Sequence, residues 1–106
     1  MNLTMDLSEQ GLHMFFKPWQ VNALKAIWKS STALNSREVW EAVKLKTTIS
    51  RASVINFLEA SHKNGFLDKD TTTGKGGHRG LYSGKYDEQG TKEYLKKVFK
   101  ERLDKL

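Results

Sequence analysis

Two side chains within one segment of this sequence carry planar hydrogen-bonding forks, Arg51 and Asn56. A guanidinium matches the O6 and N7 acceptors of guanine, and a carboxamide matches N6 and N7 of adenine. Around them Val54, Phe57, Leu58 and Ser61 recur three and four residues apart, which makes one inward helical stripe. Arg51, Ile55, Asn56, Glu59 and Lys63 fall largely outside it. A helix fits the major groove of B-form DNA and normally brings its N-terminal residues to the base edges. Ser50, Arg51 and Ser53 occupy that end, and Ile55 can touch a thymine methyl group. The plainer alternative is that Arg51 only grips phosphate and Asn56 is a solvated amide.

A second basic group follows. Lys75, His78 and Arg79 are interleaved with Gly74, Gly76, Gly77 and Gly80. Cations suit phosphate or minor-groove contact, and glycines let backbone N–H groups approach phosphates closely. The alternative is a solvated loop that is merely basic. A nucleotide-binding P-loop does not fit, because the Gly-x-x-x-x-Gly-Lys-Ser/Thr spacing is missing and no helix opens after the glycines. Lys and Arg total 18 against 12 Asp and Glu, a formal charge of +6 and a pI near 9.6. That excess makes double-stranded DNA the leading partner.

Catalysis finds little support. His13, His62 and His78 are scattered, there is no cysteine, and no nucleophile–base pair or metal-ligand spacing is visible. Asp68 and Asp70 alternate on a strand and share one face, an arrangement more often solvated than metal-binding. No catalytic residue, metal or cofactor is expected. No apolar run spans a bilayer, and residues 1–10 lack a signal-peptide pattern, so a soluble cytoplasmic domain without a membrane partner is expected.

The elements that would position these groups can be read from caps and periodicity. Pro18 suits the first turn of a helix over 18–29, with Val21, Leu24, Ile27 and Trp28 on one face. Asn35 or Ser36 can cap a second helix over 36–45, with Glu38 reaching back as in a capping box and Val39, Trp40 and Val43 inward. Ser36 and Arg37 at its start are assigned to the DNA backbone. Ser50 caps a third helix that runs to Asn64, and Gly65 suits its left-handed C-terminal cap. Strands are expected at 66–70 and 81–83, joined by a long mobile tip over 71–80. A turn at 87–90 then leads to a last helix capped by Thr91.

The chain of 106 residues is enough for a single modest core. The fold expected is α+β: a winged helix-turn-helix of three helices plus a β-hairpin wing, with an added C-terminal helix for dimerisation. The division expected is an N-terminal arm at 1–17, the DNA-binding domain at 18–89 and the dimerisation helix at 90–106. Tyr94, Leu95, Val98, Phe99, Leu103 and Leu106 form an apolar stripe that something must cover. A twofold partner is the expected cover, the chain's own domain the alternative. Leu12, Met14, Phe15 and Phe16 either join that interface or cover the core.

Segments 23–29 (Ala-Leu-Lys-Ala-Ile-Trp-Lys), 35–39 (Asn-Ser-Arg-Glu-Val), 53–58 (Ser-Val-Ile-Asn-Phe-Leu) and 64–67 (Asn-Gly-Phe-Leu) resemble the penicillinase-repressor (BlaI/MecI-type) family. Residues 76–86 look like that family's wing and last strand. The resemblance implies a dimeric transcriptional repressor on a palindromic operator. Departures are plain. Ser61 and His62 stand where the family usually has apolar residues, and His62 reads as a half-buried packing histidine. The C-terminal region is one helix rather than several. The Asn-Phe dipeptide at which those repressors are cut occurs here only as Asn56-Phe57, inside the third helix, so release by proteolysis has no support. The clustered cysteines of copper-responsive relatives are absent. The expectation is a sequence-specific, homodimeric DNA-binding regulator; the runner-up is a winged helix used for protein–protein contact or for non-specific DNA coating.

Overall fold

The computed structural model describes residues 3–74 and 77–106, and within the hairpin it leaves the side chains of 72–79 aside. The expected roles of Lys75, His78 and Arg79 therefore lie outside the described side chains. A 3-10 turn at Gly11–Met14 precedes α1 (Pro18–Lys29), α2 (Ser36–Lys44), α3 (Arg51–Lys63), β1 (Leu67–Gly74), β2 (Gly77–Gly84) and α4 (Glu88–Leu103).

Local chemistry starts each of the three central helices where its caps lie. Pro18 occupies the first turn of α1, and the Lys17 amide donates to Gln20 Oε1 at 2.8 Å. Asn35 Oδ1 accepts from the Glu38 amide at 2.8 Å while Glu38 Oε1 accepts from the Asn35 amide at 3.0 Å, a reciprocal box that satisfies two orphan donors. Ser50 Oγ accepts from the Ser53 amide at 3.1 Å. The inward stripes then meet. Leu24, Val39, Val43, Val54 and Leu58 are fully buried, with Phe57, Phe66 and Leu67 in the same cluster. Each such side chain is worth about 1.5–3 kcal/mol of burial. Ser61, the one polar member of the α3 stripe, donates to the Phe57 carbonyl at 2.7 Å and so enters the core satisfied.

β1 and β2 form an antiparallel pair with Leu67 opposite Gly84 and Gly74 opposite Gly77. The ladder corrects the expected long tip at 71–80: it continues through Thr71, Thr72 and Thr73, whose β-branched side chains suit a strand. A third segment joins this sheet. Leu34 donates to and accepts from Tyr82 at 2.9 and 2.7 Å, so the link before α2 becomes a one-residue strand.

α4 also departs from expectation. It starts at Glu88, and Asp87 rather than Thr91 is its cap, with Asp87 Oδ1 accepting from the Gly90 amide at 2.7 Å. Thr91 is instead fully buried and donates its hydroxyl to the Asp87 carbonyl. The N-terminal arm covers the core: Leu12 and Phe16 are buried, Phe16 stacks edge-on against Phe57 and Phe66, and Phe15 lies 4.9 Å from Phe99 of α4.

Gly65 ends α3 in the left-handed region, φ 89°, as its position after the helix suggested. A Cβ there would also lie 2.6 Å from the Tyr94 hydroxyl, which donates to the Asn64 carbonyl at 2.7 Å. Gly65→Ala is therefore expected to destabilise the chain by roughly 2 kcal/mol or more, conformational strain plus displacement of Tyr94. Chemical denaturation reads it; an unchanged midpoint would contradict this account of the junction.

Candidate nucleic-acid interface

In the turn from α2 to α3, the Lys46 and Thr47 amides donate to the Val43 carbonyl and an indole anchors the far end. Trp40 Nε1 donates to the Ile49 carbonyl at 2.9 Å, directly before the Ser50 cap, and Lys44 Nζ lies 4.2 Å over the Trp40 ring. With the inner face of α3 locked into the core, its outer face is set by the 3.6-residue period. Arg51 and Asn56 are exposed and Ile55 is half-buried, all on that outer side. The sequence reading missed Ala52, which is also exposed there. The available signal was its spacing of three and four from Ile55 and Asn56.

The serines serve first as caps. Ser50 Oγ and Ser53 Oγ lie 2.9 Å apart in addition to the Ser53 amide bond, so both hydroxyls are already engaged. At the start of α2, Ser36 is half-buried and Arg37 exposed. The Arg37–Glu41 contact of 3.3 Å is an exposed i,i+4 pair, worth only about 0.3–0.5 kcal/mol. Lys44, Lys46 and Lys63 add exposed positive charge around the same helices.

Besides Glu41, a carboxylate of α3 sits on this basic face. Glu59 lies two turns beyond Arg51, and its Oε1 accepts from Lys69 Nζ of β1 at 2.7 Å and from the Tyr82 hydroxyl of β2 at 2.5 Å. The Lys69 hydrogen bond, then that of Tyr82, hold the Glu59 carboxyl below its ordinary range against the opposing effect of burial. Burial, followed by the Glu59 contact, pushes the Tyr82 phenol upward. Nothing local to Glu59 announces this trio, because its partners are 10 and 23 residues away.

The apolar stripe of α4 divides. Leu95 is 1% exposed in the chain's own core, Tyr94 stacks on Tyr86 at 5.3 Å, and Phe99 packs on Phe15. Val98 is half-buried, whereas Leu103 is 56% exposed and Leu106 fully so. His62 is exposed rather than half-buried; its Nδ1 lies 3.1 Å from the Leu67 carbonyl, because it falls one position past the buried Ser61. Among the described residues, no three His, Cys, Asp or Glu gather as metal ligands, and no helix is long and apolar enough to cross a membrane.

No family model matches the chain, and no protein of curated function does. Solved structures do. The ferric uptake regulator Fur of Helicobacter pylori, a protein with three functional metal-binding sites, is similar at a TM-score of 0.56 and 21% identity. That likeness covers 70% of this chain and 49% of the Fur chain, so this chain spans about half of Fur's length. A possible transcriptional regulator from Methanosarcina mazei Go1 is similar at a TM-score of 0.65 and 13% identity, over 85% of this chain and 72% of that one. The fold is a winged helix. At these identities the likeness concerns architecture alone.

The indole bond gives a direct check on the turn. Trp40→Phe keeps the ring's packing but leaves the Ile49 carbonyl without its donor, so stability should fall by about 1 kcal/mol. Amide exchange at residues 46–50 should accelerate more than exchange within α1. Uniform acceleration, or none, would mean that the indole does not hold the turn.

Proposed function

We propose that this chain is a sequence-specific DNA-binding transcriptional regulator that works as a homodimeric repressor on a palindromic operator. The observation that carries the reading is the outward face of α3, where Arg51, Ala52 and Asn56 are exposed on a helix whose opposite face is buried. Such a helix enters the major groove with its N-terminal end toward the bases. Arg51 pairs with guanine, Asn56 with adenine, and Ile55 and Ala52 offer methyl groups to thymine. Ser50 and Ser53 hold that end of the helix. Ser36 and Arg37 on α2, and Lys75, His78 and Arg79 on the hairpin, bind the phosphate backbone.

The net charge of +6 favours this partner, and the likeness to regulator structures supports the class. The resemblance to penicillinase repressors supports repression by occupancy of the operator. The outer part of α4 supports the dimer. Leu103 at the end of α4 and Leu106 just past it are exposed apolar side chains that a second copy buries, while Tyr94, Leu95 and Phe99 anchor the helix to its own domain. A twofold axis there brings two α3 helices to successive major grooves, about 34 Å apart.

Fluorescence anisotropy with DNA from upstream of the chain's own gene, against scrambled DNA over several salt concentrations, tests the reading. Cognate DNA should bind about 10³-fold tighter or better. Arg51→Ala should cut that preference by about 1–3 kcal/mol, while Arg79→Ala should weaken both DNAs alike and lower the salt slope by about one. Equal, salt-erased binding to both DNAs would instead indicate a coating protein, and no binding at low salt a protein-interaction module.

Sedimentation tests the dimer separately. Replacing Leu103 and Leu106 together with glutamate should convert a dimer to a monomer without unfolding it, since both side chains are exposed in the single chain. Operator affinity should then fall at least tenfold, through loss of the second half-site. A wild-type chain that is already monomeric at high concentration would end this part of the proposal.

A further inference from the structure

Glu59 poses a problem that the base-reading face does not solve. A carboxylate near a surface meant for phosphates repels them unless something neutralises it. Here a single oxygen, Oε1, takes both donors, Lys69 Nζ and the Tyr82 hydroxyl, and its other oxygen is not used by either. The side chains of Lys69 and Glu59 are only 27% and 37% exposed. Lys69 and Tyr82 face each other across the β1–β2 ladder, and Lys69 Nζ also lies 5.8 Å from the centre of the Tyr82 ring. The space they occupy is open because residue 80 is glycine: a Cβ there would sit 2.9 Å from Lys69 Cε and 3.1 Å from the Tyr82 hydroxyl. Tyr82 is in turn fixed by its two backbone bonds to Leu34. One carboxylate on α3 thus ties together both strands of the hairpin.

We propose that Glu59 is a positioning residue that locks the hairpin to α3, so that wing and recognition helix meet DNA as one rigid surface. The inference rests on the DNA-binding reading above and adds how its two contact regions are held in register. A charge-assisted bond is roughly twice as strong as a neutral one and geometrically tighter, which suits a hinge between a helix and a two-stranded ribbon. Through this lock, phosphate contacts made by the hairpin orient α3 in the groove rather than swinging independently of it. Lys69 spends its charge on Glu59, so it acts as half of the lock and contributes no phosphate contact of its own.

Residual dipolar couplings of the free protein read the lock directly. In the wild type, amides of β1 and β2 should fit the same alignment tensor as α1 to α3; in Glu59→Ala and in Lys69→Met they should not, while Lys69→Arg should restore the fit. On DNA, where Glu59→Ala alone would also free the Lys69 cation, the charge-balanced double variant Glu59→Ala/Lys69→Met should weaken cognate and scrambled binding alike and flatten the salt slope by about one to two units. The same double variant combined with Arg79→Ala should lose little more than Arg79→Ala alone, a non-additivity that merely stabilising residues would not produce. Couplings that fit equally well in Glu59→Ala overturn the lock. Diverging couplings with an unchanged salt slope overturn its role in binding. A wild-type chain that binds no DNA at low salt overturns the functional reading itself, and the couplings then judge the lock on its own.

Discussion

Burial of one stripe of α3 is the constraint on which the rest of the molecule depends. Val54 and Leu58 have no exposed surface, and Phe57 and Ser61 complete the stripe with almost none. A helix pinned along positions 54, 57, 58 and 61 cannot rotate about its axis, since each residue turns it by about 100° and would drive a polar side chain into the core. Arg51, Ala52 and Asn56 are therefore held outward by packing behind them. The chemistry of the outer face is available because the inner face is spent.

Around that helix, the other elements act as braces with different physical characters. α1 and α2 supply apolar surface, and their own starts are set by Pro18 and by the Asn35–Glu38 box. Trp40 then ties the end of the short link into α3 through its indole hydrogen bond, beside the Lys46 and Thr47 amide bonds to Val43. The N-terminal arm closes the remaining side with aromatic rings, Phe16 on Phe57 and Phe66, and Phe15 on Phe99. A core of this size has little surplus stability, so an arm that buries Leu12 and Phe16 is part of the domain's energetics.

Charge is distributed with the same economy. The chain carries a formal +6, yet most of its cations sit on exposed positions where water and salt screen them. Three ion pairs among the described residues, Arg37–Glu41, Glu88–Lys92 and Glu93–Lys96, lie within one helix, and such pairs contribute little to stability. Glu59 is different, because its two donors come from another layer of the fold. Its contact therefore carries information about the relative placement of elements, which a pair within one helix cannot.

The sequence by itself determined most of what is governed by neighbours within a few residues. The bounds of α1, the capping box of α2, the Ser50 cap, the inward stripe of α3 and the left-handed Gly65 were all legible, because side chains meet their own backbone or the next helical turn there. Where two local solutions competed, the choice needed tertiary context. Asp87 and Thr91 can both cap a helix, and the burial of Thr91 left that role to Asp87. The threonine run reads as a loop beside glycines, yet a full ladder partner makes it strand. Pairings between distant segments decided the remainder: Leu34 with Tyr82, Glu59 with Lys69 and Tyr82, Phe15 with Phe99, and the division of the α4 stripe into buried Leu95 and exposed Leu103. Periodicity says which side chains share a face, but only the packed fold says what that face meets, because burial belongs to the pair of surfaces and not to either segment alone.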